Sequence, residues 1–593
     1  SSITSYQVVA ALGTLAVLAI LNYLPSLGGN IEVVQEITYW FSISGKANQM
    51  IDGLICSEDL FYFFIVIGLF LSLSVLKLHS ERKVISKSRC IVTCIGILTF
   101  VLLLEYVCTR PACMWYCDVT QDKSRTLSKG SQEVMKALDG GLTITTYVNL
   151  LDDHRWQGLP ANRVYDVRGF RQFTRFKPEI QMRYVYYYDQ TDNPILDKLY
   201  PNLSMEERAR ELARVEDLDF DKFLSPEEIR EKIDLTSEGN RFVRLLEREN
   251  GRKTFLRIYN DGQANPGERE IIAALKRLTI VPPKVGFLTG HDERSIRQVG
   301  EWDYSAFAAN IGFRYSLVNI GFDVEEVDLR DTIPGDIHVL VIADLKKPLT
   351  DDEQEYLQRY VDKGGNLFIL ATATRQELLN PVTRSLGVYF EPGILVQNHK
   401  QHQQDLILGE ITSEAIHFSP EFFSNKASGK CITMPRAVAI NCNGQSDFRI
   451  TPILETSAKS CWNEQETIDF VNQVATLGPG EQEKSYPLMV MLDREVGSKK
   501  QHILVVGCAD CISNGELTRT RNDVNSNNYS LIMESFRVLG DGVFPVDVSR
   551  PAPVDNAIKI GETGLIVLKW FALFILPLGI VMGGVWVWRR RRK

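Results

Sequence analysis

Long apolar runs in this chain lie near its two ends. Four of them approach or reach the roughly 17 to 25 mostly apolar residues that a membrane-spanning helix needs, and they cover residues 8–25, 60–76, 91–107 and 570–588. A buried core helix is the alternative for the first three runs, which are short. Three such runs close together, separated by polar loops, are rare in soluble domains. The pattern therefore predicts four transmembrane helices.

Lysine and arginine residues beside the predicted spans indicate their orientation, because cytoplasmic loops carry an excess of these residues. Residues 77–89, between the second and third runs, contain five of them, and the chain ends in four arginines and a lysine. Residues 26–59 contain one lysine against five acidic residues. These charges predict a multi-pass membrane protein with both ends in the cytoplasm. Residues 108–564 would then form a large periplasmic body held at both ends.

The last predicted span contains two glycines, Gly579 and Gly583, at a spacing of four residues. Small residues at this spacing lie on one face of a helix and allow a second helix to approach closely. Both glycines are therefore candidate helix-packing residues. The alternative is that they face lipid.

The first part of the predicted periplasmic body, residues 118–281, alternates between strand and helix patterns. The predicted strands are 142–148, 180–188 and 255–259, and a helix is predicted over 268–278. Between them, residues 204–234 are highly charged and carry two capping boxes, which begin at Ser204 and Ser225 and are typical of helix N-termini. This segment is predicted to be a helical surface elaboration of a small α/β domain.

Residues 282–550 show continuous apolar strands alternating with amphipathic helices, a pattern typical of a parallel sheet covered on both faces. The predicted strands are 284–288, 323–329, 337–343, 366–371, 487–493 and 502–507, and the predicted helices are 306–319, 350–360 and 529–539. Thr350 is predicted to cap the second helix, with Glu353 completing its capping box. Residues 378–484 are not assigned. The predicted domains are thus a membrane region (1–117), a small α/β domain (118–281), a parallel-sheet domain (282–550) and a C-terminal anchor with a basic tail (551–593).

Composition narrows the classes of function. The 593 residues are 45% hydrophobic and 24% charged, with a net charge of -8. Nucleic-acid binding requires a basic face that displaces counterions from phosphates, so the acidic balance argues against a nucleic-acid partner. The mean hydropathy of -0.09 fits a polar body with a few apolar segments. Because the chain begins at Ser1 rather than Met, we expect a longer natural N-terminal portion.

One turn carries residues with catalytic or binding chemistry. Gly290, His291, Asp292 and Glu293 follow the first predicted strand of the parallel sheet, and open α/β sheets bind ligands at the carboxyl ends of their strands. A histidine beside two carboxylates could perform acid–base chemistry. The same turn could bind or dock a partner, or simply be polar for solubility. No Ser or Cys nucleophile follows a predicted strand convincingly, so no catalytic residue is assigned.

Phosphate-loop, zinc-helix and nucleophile-elbow motifs are absent from the sequence. Cys508 and Cys511 have the C-x-x-C spacing of redox and metal sites, but a second ligand pair is missing, which favours a structural or disulfide role. Cys108, Cys113 and Cys117 cluster just outside the third predicted span, where an oxidising periplasm would allow one disulfide. We therefore predict no metal and no cofactor in this chain.

Two family resemblances follow from these residues. Residues 1–83 resemble the last part of a type-2 ABC export permease of the gliding-motility GldF kind, through residues 5–11 and 50–55 with Asp59, Leu60 and Tyr62. From Asp118 onward the chain resembles GldG, the auxiliary component of the same transporter. The residues that carry this second resemblance are Asp118, Thr120, 126–128, 288–291, 315–317, 321–324, 333–334, 362–367 and Pro577.

The resemblance implies a fused permease and auxiliary polypeptide of an ABC transporter. A separate GldA-like ATPase would bind ATP and Mg, and other GldF-like spans or a second copy would complete the membrane part, since only two permease spans are present. It also implies a glutamine-amidotransferase-like fold without that fold's cysteine elbow, and hence a protein that is not an enzyme. The alternatives are a membrane-anchored periplasmic enzyme using the His291 turn and a structural envelope anchor. The resemblance also implies a location in the bacterial inner membrane, with the large domain in the periplasm.

Overall fold

The computed structural model describes residues 7–23, 43–82, 87–108, 110, 113–330, 332–442, 446–550 and 560–591. The described part of the N-terminal region includes the helices α1 (Gln7–Tyr23), α2 (Ile43–Ile51), α3 (Ser57–Arg82) and α4 (Lys87–Cys108). Helices α3 and α4 pack side by side. A short antiparallel ribbon of β1 (Leu54–Cys56) and β2 (Tyr116–Asp118) connects this region to the α/β body, which we define as residues 116–550.

The first part of the α/β body is built on a four-stranded mixed sheet. Its strands are β3 (Leu142–Asn149), β4 (Ile180–Tyr187), β5 (Val243–Arg248) and β6 (Lys253–Arg257), in the spatial order β4-β3-β5-β6. Strands β3 and β4 are parallel and the other two pairings are antiparallel. The helices are α5 (Lys129–Ala137), α6 (Arg163–Gly169), α7 (Arg171–Phe176), α8 (Pro194–Leu199), α9 (Met205–Val215), α10 (Pro226–Lys232) and α11 (Glu268–Arg277).

Both predicted capping boxes in the charged segment are confirmed. Ser204 caps α9 together with Glu207, and Ser225 caps α10 together with Glu228. In each box the serine hydroxyl accepts a hydrogen bond from a backbone N–H that has no partner within the helix, and the glutamate accepts one from the serine N–H. The predicted strands 142–148 and 180–188 are also confirmed within a residue, whereas β5 was not assigned from the sequence.

A nine-stranded sheet forms the second part of the α/β body, in the order β14-β13-β16-β18-β19-β10-β9-β7-β8. Its strands are β7 (Lys284–Thr289), β8 (Asp323–Asp328), β9 (Ile337–Ala343), β10 (Asn366–Leu370), β13 (Leu406–Ile411), β14 (Ile432–Pro435), β16 (Arg449–Glu455), β18 (Pro487–Val496) and β19 (Lys499–Val506). Two small ribbons pair β11 (Val388–Phe390) with β15 (Ile440–Cys442) and β12 (Ile394–Gln397) with β17 (Cys461–Glu464). The helices are α12 (Ser305–Ala308), α13 (Leu317–Ile320), α14 (Asp351–Asp362), α15 (Asn380–Ser385), α16 (Ala415–Phe418), α17 (Pro420–Ala427), α18 (Asn514–Thr518) and α19 (Asn528–Leu539).

The predicted parallel sheet is present as β8, β7, β9, β10 and β19, but the whole sheet is mixed. Strands β18 and β19 are longer than predicted and form an antiparallel hairpin that turns at Gly497 and Ser498. A two-residue turn can only reverse the chain. Strands β16, β13 and β14 then continue the sheet in antiparallel fashion, and they come from the segment left unassigned above.

The predicted helix 306–319 is wrong, since the structure has two short helices, α12 and α13, with irregular backbone between them. Asn319 explains the interruption. Its side-chain amide donates hydrogen bonds to the carbonyl oxygens of Ile311 and Phe313 at 3.1 and 2.8 Å. Asn310 accepts a hydrogen bond from the N–H of Gly312 at 2.8 Å. These contacts satisfy backbone groups that a continuous helix would have used.

Both faces of the parallel strands are buried, which accounts for their continuous apolar sequences. Along β9, Val339 and Val341 belong to the main hydrophobic cluster, whereas Leu340 and Ile342 belong to a second cluster beneath α14 and α15. This alternation follows from the two-residue period of a strand. The main cluster continues into α5 and α11, so the four-stranded and nine-stranded parts share a hydrophobic core.

The C-terminal region is helical over α20 (Gly561–Trp570), a π-helical segment (Phe571–Ile575) and α21 (Leu576–Arg591). Among the described residues, three helical stretches are long and apolar enough to cross a membrane: Ser57–Ser80, Ser88–Cys108 and Thr563–Arg590. The run predicted as the first span is helical over α1, with an apolar part of Ala11–Ile20 that is shorter than a span. Residue 25, its predicted end, lies outside the described residues. Three apolar helices fit association with a membrane.

Candidate functional site

The turn after β7 is closely packed rather than open. The His291 side chain is buried, with Glu293 Oε1 3.1 Å from its Nδ1 and Glu353 Oε2 3.1 Å from its Nε2. The Glu293 carboxylate also accepts a hydrogen bond from the His291 N–H at 2.7 Å. Gly290 has a φ of +119°, a backbone conformation that favours glycine. His291 thus ties this turn to the first turn of α14, and both of its ring nitrogens are engaged.

Asp292 points to a different partner. Its carboxylate pairs with Lys347 at 2.8 Å on the surface. Hydrogen bonds from Thr350 and His291 outweigh the effect of partial burial and hold the pKa of Glu353 below its usual value. The structure therefore brings His291 and Glu293 together, separates Asp292 from them, and adds Glu353, which sequence reasoning identified only as a capping residue.

A larger charged cluster, which we call the carboxyl-edge cluster, lies beside this turn. Its centre is Arg294, which is 7% exposed and donates from Nε to Asp344 at 3.1 Å and from Nη2 to Asp510. Arg375 pairs with the same Asp344 at 2.7 Å, and Arg436 pairs with Asp510 at 2.7 Å. Buried charges are stable only when they are paired and hydrogen-bonded. Here three arginines surround two carboxylates.

Five strand ends supply this cluster: Arg436 follows β14, and the other four residues follow parallel strands. Arg294 follows β7, Asp344 follows β9, Arg375 follows β10 and Asp510 follows β19. The carboxyl ends of neighbouring parallel strands meet at one edge of a sheet, which is where open α/β sheets bind ligands. Sequence reasoning missed these residues as a group. The available signal was a charged residue within five positions of the end of each buried strand.

Backbone strain concentrates at the same edge. Asp344, Thr374 and Arg436 have φ angles of +55°, +76° and +54°, and Asp292 in the neighbouring turn has +58°. Non-glycine residues in the left-handed region each cost energy and persist where the surrounding structure demands them. The Arg436 guanidinium also lies over the Trp302 ring, 4.5 Å from its centroid, and this tryptophan is 56% exposed. The edge therefore presents a partly exposed aromatic and cationic surface above a buried ionic centre.

The two cysteines of the C-x-x-C motif lie beneath this edge as buried thiols. Cys508 donates to the carbonyl oxygen of Pro435 and Cys511 to that of Cys508, each at 3.0 Å. Burial raises the pKa of the Cys508 thiol well above its usual value, which disfavours the nucleophilic thiolate. All eleven cysteines of the chain are free thiols, so neither this pair nor the Cys108, Cys113 and Cys117 group forms a disulfide.

Two groups of three residues have the spacing of metal ligands in the described part of the chain, Cys56–Glu58–Asp59 and Asp152–Asp153–His154. Protein cations already contact the first group, since Asp59 pairs with Lys46 and Glu58 with Arg171. In the second group, the His154 ring contacts Asp153 at 2.6 Å and Asp152 at 3.5 Å. A hydrogen bond with Asp152 raises the pKa of His154 above its usual value.

A second feature joins the apolar helices to the α/β body, and we call it the membrane seam. It consists of the β1–β2 ribbon, the start of α3 and the facing side of α7. Ser57 forms hydrogen bonds with Cys113 and Trp115 of 2.9 to 3.1 Å. Arg171 of α7 pairs with Glu58, and Arg175 donates to Gln49 at 2.6 Å.

The membrane seam also contains a buried ion pair. Lys46 of α2 lies 3.5 Å from Asp59 of α3, and the two side chains are 8% and 0% exposed. Loss of one partner from such a pair leaves an uncompensated buried charge, which is strongly destabilising. The pair therefore holds α2 against the first turn of α3. Asp59 was named in the sequence analysis only for its resemblance to a permease segment.

The chain leaves the α/β body close to where it enters. Glu268, the first residue of α11, accepts hydrogen bonds from the Ser128 N–H at 2.7 Å and the Ser131 hydroxyl at 2.6 Å. Its other carboxylate oxygen pairs with Arg550, the last residue of the α/β body. We call Ser128, Ser131, Glu268 and Arg550 the exit clasp. It places both ends of the body side by side.

The candidate packing glycines Gly579 and Gly583 lie on α21. A Cβ atom built on either glycine meets no described atom within 4 Å. Any close helix packing through them would therefore involve another chain or residues outside those described, and their role remains a prediction.

Similar solved structures are remote. The N-terminal domain of mmIFT52 is 14% identical over 44% of this chain and 98% of that one, with a TM-score of 0.30. An exo-β-1,4-mannosidase from an Opitutaceae bacterium is 10% identical over 69% of this chain and 55% of that one, with a TM-score of 0.26. A ThuA-like protein from Parabacteroides merdae is 11% identical over 41% and 95%, with a TM-score of 0.22. These scores are too low to assign a fold.

No curated protein matches the chain. A family model does match it, over residues 282–535, and its description is "ABC-type uncharacterized transport system". The matched segment begins just before β7 and ends within α19, so it contains the nine-stranded sheet and the carboxyl-edge cluster. This match supports an auxiliary component of an ABC transporter, and with it partners in an ABC transport system.

Proposed function

We propose that this chain is a multi-pass inner-membrane subunit of an ABC transporter of the gliding-motility type. In this proposal a GldG-like periplasmic body, with an amidotransferase-like but non-enzymatic fold, is fused to the last spans of a GldF-like permease. A separate GldA-like subunit binds ATP and Mg and hydrolyses ATP. The α/β body receives the resulting movement of the spans and passes it to a substrate or an envelope partner.

The observation that carries this proposal is the membrane seam. A simple anchor needs only a flexible tether between its span and its outer domain. Here a backbone ribbon, the Arg171–Glu58 ion pair and the buried Lys46–Asp59 pair connect the first turn of α3 to neighbouring elements. Such contacts resist independent motion of helix and body. They support a body that follows the movement of the helices.

The exit clasp supports the same role. Because Arg550 and Ser128 both contact Glu268, the connections to α4 and to α20 leave the body together. If the transporter changes the separation of these two membrane segments, it would strain the contacts of the exit clasp and of the membrane seam. Packed elements of this kind transmit displacement as discrete rearrangement rather than by gradual bending.

The carboxyl-edge cluster is the proposed docking surface of the body. Its buried ionic centre makes the edge rigid, while Trp302, Arg375 and Arg436 are partly exposed above it. His291 acts in this proposal as a structural tie rather than a catalyst, because both of its ring nitrogens already contact carboxylates.

Charge reversal at the seam tests the coupling. The full chain would be purified in mild detergent from membranes that contain its transport partners. We expect an ABC ATPase to co-purify, and we expect Arg171→Glu to reduce ATPase stimulation by this chain while the complex stays assembled. The double variant with Glu58→Arg should restore stimulation, since the ion pair is re-formed with opposite polarity. Arg210→Glu on α9, an exposed residue distant in sequence from the seam, is the control.

Three results would contradict the proposal. If no ATPase co-purifies with the full chain, the proposed role in an ABC transporter is refuted. Full stimulation by Arg171→Glu in an assembled complex would remove the coupling role of the seam. Binding of ATP by the purified chain alone would contradict the assignment of ATP hydrolysis to a separate subunit.

A further inference from the structure

A large cavity lies away from the carboxyl-edge cluster, under the segment 465–482 that follows β17. Its volume is about 1100 Å³, which is enough for a small organic molecule. Four glutamates line it, Glu391, Glu464, Glu466 and Glu481, together with a single lysine, Lys484. At neutral pH these side chains give the cavity a net charge of -3.

The glutamates are held in place but not neutralised. Glu464 is 3% exposed and accepts hydrogen bonds from the Trp462 ring N–H at 3.2 Å and the Glu466 N–H at 3.0 Å. Glu481 accepts from the N–H groups of Gln465 and Gly478 at 3.0 and 2.7 Å. Over the described residues, neither glutamate forms an ion pair with a lysine, arginine or histidine.

Unpaired charge is unusual at such depth, because buried carboxylates are normally paired with a cation. Lys484 does not fill this role, since its ammonium lies over the Tyr486 ring, 4.8 Å from the centroid. A second observation also indicates a ligand that donates hydrogen bonds. Asn463 is 8% exposed and lines the cavity, and its Oδ1 atom has no hydrogen-bond partner. The lining thus offers carboxylates without a cationic partner and one amide oxygen without a donor.

A bare metal ion does not fit this arrangement. The carboxylates of the cavity are not among the described groups of three ligands that lie close enough to share an ion. The acceptors are instead spread around a large space. Its polar lining includes two exposed apolar residues, Val474 and Leu477, which are 77% and 51% exposed. Spread acceptors beside such apolar side chains suit an organic molecule that carries ammonium groups on a hydrocarbon chain.

We infer that this acidic cavity binds an organic amine, in which ammonium groups donate hydrogen bonds to Glu464, Glu466 and Asn463 and the aliphatic part contacts Val474 and Leu477. The amine could be a free polyamine or a lysine side chain of a peptide, because both present the same ammonium chemistry. This site does not depend on the transport role proposed above.

Calorimetric titration of the full chain in detergent tests the inference, with spermidine as the free amine and a short lysine-containing peptide as the second probe. We expect saturable binding at about 50 mM salt that weakens as salt rises, since the interaction is electrostatic. Tighter binding of spermidine would identify a free amine, and tighter binding of the peptide would identify a side chain of a partner. A neutral trisaccharide should not bind.

Variants separate the cavity from the general acidity of the protein. We expect Glu464→Gln and Glu466→Lys each to weaken amine binding by about tenfold, which corresponds to about 1.4 kcal/mol. Glu466 is exposed, so its variant should fold even if the buried Glu464→Gln does not. Glu495→Lys is the matched control, because this exposed glutamate lies on β18 and does not line the cavity. Equal binding by Glu466→Lys and wild type, or no saturable binding of either amine, would overturn the inference.

Discussion

Glu534 on α19 allows a quantitative prediction about stability and pH. Its side chain is 3% exposed, the Ser419 hydroxyl donates to it at 2.6 Å, and Arg537 lies at 3.3 Å. Burial is the largest influence and outweighs the opposing effects of Arg537 and Ser419, so that the pKa of Glu534 is raised to about 7. The native state therefore holds a proton on this carboxyl group more tightly than the unfolded chain does.

The sign and size of the effect follow from that difference. Below the pKa that Glu534 has in the unfolded chain, which is near 4.5, the carboxyl group is protonated in both states and does not lower the free energy of unfolding. As the pH rises to about 7, the unfolded chain releases its proton first, and native stability is progressively lost. The pKa difference corresponds to about 3 kcal/mol at pH 8. We expect Glu534→Gln to match wild type near pH 4.5 and to be more stable by about this amount at pH 8.

The measurement is a urea titration of the full chain in detergent, followed by tryptophan fluorescence between pH 4.5 and pH 8. The difference between variant and wild type isolates Glu534, because all other groups titrate in both proteins. Glu355→Gln, an exposed substitution on α14, should give a flat difference curve. A flat curve for Glu534→Gln, or one that favours wild type as the pH rises, would show that the buried carboxyl is not destabilised by ionisation.

Three further predictions concern packing, the ionic centre and the last span. Gly321→Ala should destabilise the fold by about 1–3 kcal/mol, as measured by thermal unfolding. The reason is that Gly321 has a φ of +123° and an added Cβ would lie 2.1 Å from the Phe544 ring. Arg294→Met should cost about 3–5 kcal/mol in urea titrations because it leaves buried carboxylates underpaired. Gly583→Leu should impair assembly or ATPase stimulation more than Val581→Leu does, as measured by co-purification and ATPase rate, and equal behaviour of the two variants would indicate that the glycine faces lipid.

Local signals in the sequence predict local structure well. The strand β9 was predicted with its exact bounds, 337–343, because both of its faces are buried and its sequence is therefore a continuous apolar run. Thr350 was predicted to cap α14 and does so, accepting a hydrogen bond from the Glu353 N–H. In both cases the residues that determine the structure are neighbours in the chain.

The errors arise where specific side-chain contacts, near or far in the sequence, determine the structure. The helix predicted over 306–319 fails because the Asn319 amide turns back to carbonyl groups of the preceding loop. The carboxyl-edge cluster was not recognised, because Arg294 and Asp510 are 216 residues apart and meet only through the strand order of the sheet. The sequence analysis instead indicated His291 as a candidate site residue, and in the structure its ring contacts two carboxylates. Periodicity carries no information about such pairings.

The position of α11 connects the two ends of the body with its centre. Glu268 at the start of this helix holds Ser128, near the entry of the chain, and Arg550, near its exit. Residues of the same helix, such as Ile272 and Leu275, belong to the hydrophobic cluster that includes the nine-stranded sheet. Because a close-packed core resists local deformation, a force applied between the two ends of the α/β body would displace α11 as a unit against the sheet. The exit clasp is therefore the point at which relative movement of the membrane segments would first reach the core.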